Sequence, residues 1–158
     1  MGNKKSLIDE SATDVSIMLN NGCDFVFIIW DRLPKWGGTG RCEDHQAELT
    51  RNLTNGGVNL TRIIFCCINE MLESWMIADG RGVTTYFKNI NQQSPAFPDH
   101  RSQQTQSSPK NRLIKYNGRY NESVDNIGIV KALSDFTRAA RWNDSFGHFK
   151  QRVEAICP

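Results

Sequence analysis

Cys42, Glu43, Asp44 and His45 place a thiol and an imidazole three positions apart, and Cys66 with Cys67 adds two adjacent thiols. Tetrahedral zinc takes four such ligands, usually as two close pairs whose members are separated by two or more residues. Adjacency hinders Cys66 and Cys67 from reaching one ion, so no metal and no cofactor is expected. A cysteine nucleophile needs a base that a third group orients. Cys23 or Cys66 with His45, His100 or His148 would supply the types, but the spacing selects no combination. Glu70 and Glu73 offer acid–base chemistry if they lie one turn apart on a helix. The loop Gly37-Gly38-Thr39-Gly40-Arg41 lacks both phosphate-cradling patterns, G-x-x-x-x-G-K-[ST] and G-x-G-x-x-G. No catalytic residue is assigned.

The other chemistry-bearing stretch is basic and aromatic. Lys110, Arg112, Lys115 and Arg119 interleave with Tyr116 and Tyr120 around Asn117-Gly118. Cations can neutralise phosphates while an exposed tyrosine stacks on a base. Asn-Gly between aromatic and β-branched segments predicts a hairpin with a two-residue turn over 112–120. Arg138, Arg141, Lys150 and Arg152 extend the charge, and Trp142 adds an aromatic. The opposing reading packs Tyr116, Tyr120 and Trp142 in a core and leaves the cations solvated.

The element expected to position these groups is a long amphipathic helix over 60–78. Leu60, Ile64, Cys67, Met71 and Trp75 recur at steps of three and four, giving a core face on a 3.6-residue period. On that helix Cys67 points inward and Cys66 outward. Ser6 to Leu19 reads as a helix stopped by Asn20-Asn21-Gly22, and Phe25 to Trp30 as a buried strand. Glu43 to Asn52 supports only a weak helix, because Ala47 and Leu49 define no stripe. Val83 to Phe87 reads as a strand by β propensity.

Residues 91–108, rich in Gln, Ser and Pro, read as a linker inside a single domain spanning 1–158. Two helices are expected to close the chain, one with Ile129, Leu133, Phe136 and Ala140 on a face, the other with Phe146, Phe149, Val153 and Ile156. The fold class is therefore α+β and helix-rich, with a central helix, a few short strands and a C-terminal helix pair. An all-α bundle is the alternative.

With 39% hydrophobic and 23% charged residues, the chain has globular composition. Charge is uneven: residues 1–100 hold 9 Lys and Arg against 12 Asp and Glu, whereas residues 101–158 hold 10 against 5. No apolar run reaches the ~18 residues of a membrane span, and no secretory signal precedes the first element. Five cysteines, an odd number with two adjacent, favour a reducing compartment over a disulfide framework. On that basis the location is intracellular, with the cytoplasm preferred, and the Asn-x-Ser/Thr matches at Asn52, Asn59, Asn121 and Asn143 are chance. Met1 to Ser6 has the form of an N-myristoylation signal, with Lys4 and Lys5 to reinforce a membrane contact. These residues point first to a non-enzymatic interaction or assembly protein that binds another protein or itself. The second expectation is contact with RNA or single-stranded DNA through Lys110 to Tyr120, and the third a small cysteine-dependent enzyme.

Overall fold

A computed structural model describes residues 4–33, 40–90, 95–101 and 108–156. The chain forms two compact units, Met1–Asn69 and Glu70–Pro158. The architecture is α+β and helix-rich: eight α-helices and a two-stranded parallel sheet among the described residues. The helical N-terminus is observed as expected, while residues 1–3 of the lipidation motif lie outside the described residues.

In unit 1, α1 (Lys4–Asn20) ends where Gly22 takes φ +94°, a left-handed conformation that favours glycine. The strand expected at Phe25 to Trp30 is β1 (Val26–Asp31), with Val26, Ile28 and Trp30 buried on one face. Helix α2 (Cys42–Asn55) is longer than Glu43 to Asn52. Its buried stripe is His45, Leu49 and Leu53, at i, i+4 and i+8. Histidine supplies the position that an apolar count leaves empty.

The helix expected over 60–78 does not form. Leu60–Arg62 is a single 3-10 turn, with Asn59 accepting from the Thr61 amide, and Ile63–Ile68 is strand β2. Pairing in parallel with β1, from Val26↔Ile63 to Asp31↔Ile68, overrides the helical period. An unbroken run such as IIFCCI satisfies any period, and a parallel strand packed on both faces reads as such a run. The five residues expected on one core face therefore separate. Leu60 packs against the unit 1 core, Ile64 and Cys67 are half-buried on β2, and Met71 and Trp75 belong to unit 2. The strand also corrects the outward reading of Cys66, which is buried, while Cys67 is half-buried against the unit 1 core.

Every regular element among the described residues of unit 2 is a helix. After α3 (Leu72–Met76), the segment read as strand Val83 to Phe87 lies in α4 (Gly80–Ile90), where Val83 and Phe87 share a buried face. The hairpin over 112–120 is likewise corrected: α5 (Pro109–Tyr116) buries Pro109 and Leu113 one turn apart. Asn117-Gly118 still turns the chain, with the Tyr120 amide donating to the Asn117 carbonyl at 2.8 Å, but it joins helices rather than strands. The expected penultimate helix is two, α6 (Glu122–Ala132) and α7 (Phe136–Trp142). Leu133 is extended (φ −67°, ψ 116°), and Asp135 caps α7 by accepting from the Arg138 amide at 2.9 Å. The final helix, α8 (Asp144–Ile156), forms as expected. Residues 95–101, within the expected linker, pack in this unit: Phe97 joins Met76, Val83, Phe87, Leu113 and Ile129 in its core.

Candidate functional site

An apolar groove of about 520 Å³ opens in unit 2. Leu72, Trp75 and Met76 come from α3, Val130 from α6 with Leu133 after it, Phe136 from α7, and Phe146, Phe149 and Val153 from α8. Lys150 and Glu154, an ion pair one turn apart on α8, are the charged residues of the lining. Trp75 is the floor. Its ring stacks on Phe149 at 5.0 Å and meets Phe146 edge-on at 5.3 Å. Its indole Nε1–H donates to Ser145 Oγ at 2.8 Å, Ser145 donates to Asn143 Oδ1 at 2.8 Å, and Asn143 Nδ2 donates to Ser74 Oγ at 3.2 Å. The tryptophan's one polar atom is thus satisfied inside the protein, leaving its apolar surface to the groove. At the mouth, Phe136 is 49% exposed and Leu72 is 42% exposed.

A separate polar cluster gathers several of the titratable residues singled out from the sequence. His100 is fully buried, with Nε2 3.0 Å from Glu70 Oε2 and Nδ1 contacted by Arg112 Nη1. The guanidinium can only donate, so the tautomer carrying hydrogen on Nε2 satisfies both contacts. Burial pushes the Arg112 guanidinium below its ordinary pKa, with Glu70 opposing the shift. Glu73 is buried, and the Tyr120 hydroxyl lies 3.5 Å from its Oε1 and also donates to Asn126 Oδ1. Burial, then the carboxylates of Glu73, Glu122 and Asp125, push the Tyr120 phenol well above its ordinary range. Nearby, the fully buried Asp79 is matched by Arg81 at 3.1 Å and Arg138 at 3.3 Å. These groups satisfy one another by hydrogen bonds or ion pairs inside the unit, the arrangement expected of buried polar groups that hold a fold.

No family model, curated protein or solved structure matches the chain.

The six residues of the basic stretch are dispersed around α5. Lys110 pairs with Glu122, and Arg112 sits against His100 and 5.3 Å from the Phe97 ring centre. Tyr116 packs edge-on to Phe87 at 5.5 Å and Phe97 at 4.9 Å, and its hydroxyl donates to the Pro95 carbonyl. Lys115 and Arg119 are exposed. Tyr116 faces inward because the helix places it on the side of Leu113, and Tyr120, beyond the turn, packs against the same core.

Of the thiol and imidazole candidates, Cys42 and Cys67 are brought together in unit 1 as a disulfide, with Cα atoms 5.7 Å apart. The reading against disulfides is corrected at this pair. Cysteine count carries no information on which side chains a parallel strand and a neighbouring helix bring together. Cys23 is exposed and Cys66 buried, neither of them in a disulfide, and Cys157 lies outside the described residues. Among the described residues, no group of three or more His, Cys, Asp or Glu is placed to hold a metal ion. No helix among them is long and apolar enough to cross a membrane. The groove was not legible as a site. Phe146, Phe149 and Val153 are visible as a helical face, but nothing local shows that neighbouring helices leave this face partly uncovered.

Proposed function

We propose that this chain is a non-enzymatic interaction protein whose second unit receives an amphipathic helix of a partner protein in the apolar groove. The observation that carries this reading is the lining itself. Nine apolar residues, four of them aromatic, surround about 520 Å³, with charge confined to Lys150 and Glu154. That volume falls within the roughly 300–1,000 Å³ of ligand-holding clefts. A central aromatic with a satisfied polar atom, ringed by apolar side chains, is the usual composition of an interface hot spot. A groove walled by helices admits side chains spaced at three and four residues on a docking helix. Lys150 and Glu154 would pair with charges flanking that apolar stripe, fixing its direction.

The test places a photoreactive amino acid at Val153 in the full chain, cross-links in the native source and identifies the attached peptide. One recurrent amphipathic helical segment, lost when Phe136→Asp is added, supports the proposal. Phe136 is half exposed but packs against Phe146, so the variant's unfolding midpoint is measured alongside and loss of attachment counts where the fold persists. Attachment only to a second copy of this chain, or to a small apolar molecule, overturns the choice of partner. Absence of any attachment overturns the site.

A further inference from the structure

We infer that Cys42 and Cys67 form a reversible thiol–disulfide exchange site in unit 1, whose co-reactant is a small cellular thiol of the glutathione type. Three observations converge. Both residues are partly exposed, whereas Cys66 beside them is only 6% exposed. The attacking thiolate must reach a sulfur, so the bonded pair is open to exchange and Cys66 is not, while the exposed Cys23 lies outside the bond and reacts separately. Cys42 is the first residue of α2, a helix of fourteen residues whose opening amides have no partner within the helix. Those amides favour a thiolate there against the carboxylates of Glu43 and Asp44 in the same turn, of which Asp44 is offset by its pairing with Arg41. This makes Cys42 the better leaving group and Cys67 the sulfur attacked. Finally, α2 is anchored without the bond. His45, Leu49 and Leu53 are buried along it, and Leu49 and Leu53 join Val15, Val26, Ile28 and Trp30 in the unit's core. Opening the disulfide therefore frees the first turn of α2 from β2 and leaves the helix docked.

The step balances as two displacements. A thiolate R–S⁻ attacks Cys67 Sγ, the Cys42–Cys67 bond breaks, and its electron pair leaves on Cys42 Sγ. A second R–S⁻ attacks the R sulfur of the Cys67 mixed disulfide, releasing RSSR and the Cys67 thiolate. Two small thiols are oxidised and one protein disulfide is reduced to two thiols, which take up protons according to pH. The reverse reaction uses RSSR as oxidant. Cys66 stays out of this sequence, because alternation along β2 directs it to the opposite face from Cys67.

The test holds the full chain, without denaturant, in buffers of graded reduced-to-oxidised glutathione ratio. Acid quenching, alkylation and peptide mass spectrometry then count free thiols, and circular dichroism follows the fold. The expected result is that Cys42 and Cys67 become alkylatable together and reversibly, while Cys66 stays unmodified and the spectrum stays native. In Cys42→Ser, Cys67 should take up one glutathione from the oxidised form, while in Cys67→Ser the capture at Cys42 should be weaker. A bond that opens only when the spectrum is lost would be a structural staple and would overturn the inference. So would a pair that stays reduced in oxidised glutathione, or exchange that spreads to Cys66 in the native state.

Discussion

The Tyr86 hydroxyl donates to Asp125 Oδ1 at 2.7 Å and thereby ties α4 to α6. Asp125 uses its other oxygen to accept from the Asn121 amide, so the carboxylate is held from both sides. Burial, reinforced by this hydrogen bond, pushes the Tyr86 phenol up to about 12.

That shift has a definite sign for stability. The unfolded chain releases the phenolic proton near 10 and the folded chain only near 12, so between these values the unfolded state binds fewer protons. The contribution is fully present below about 10 and is lost as pH rises toward 12. Chemical denaturation at stepped alkaline pH should show a falling midpoint that is shallower in Tyr86→Phe. Because Tyr120 is shifted in the same direction, some slope should persist in that variant. An identical slope in parent and variant would contradict the assignment.

Gly128 lies against the same tyrosine. A Cβ at this position would overlap the Tyr86 ring and displace its hydroxyl from Asp125. Gly128→Ala should cost about 1–3 kcal/mol despite the gain in helix propensity. Equilibrium unfolding in urea measures this, and a stabilised variant would show that the ring has room to move.

Trp75 is 8% exposed and packs on Phe146 and Phe149. Trp75→Ala should cost about 3–5 kcal/mol through lost burial and a residual cavity. Ser145→Ala, which leaves the indole N–H without its acceptor, should cost about 1–3 kcal/mol. Both are read from denaturant midpoints at constant slope, and a near-neutral Trp75→Ala would mean that the groove floor is not a packed surface.

The Cys42–Cys67 bond closes a sequence separation of 25 residues. Cys42→Ser should lower stability by about 2–4 kcal/mol under oxidising conditions, while adding reductant should bring the parent down to the variant. Thermal scans with and without a dithiol reductant separate the two cases. A parent insensitive to reductant would mean that the bond contributes nothing.

What the sequence by itself determined is local and cooperative within a few turns. The stop of α1 at Asn20 to Gly22, strand β1 and helix α8 were readable because their apolar period or turn residues sit inside one window. Asn117-Gly118 was readable as a turn for the same reason. Tertiary structure decided everything whose partner lies far along the chain. Residues 63–68 became a strand because β1 offers a parallel register, and Val83 with Phe87 became a helix face because Leu113 and Ile129 cover it. Tyr116 turned inward once α5 replaced the expected hairpin. The disulfide and the groove belong to this second class. The disulfide joins side chains 25 residues apart and the groove sets α3 against helices far later in the chain, so each depends on how helices and strands stack rather than on what any one of them prefers.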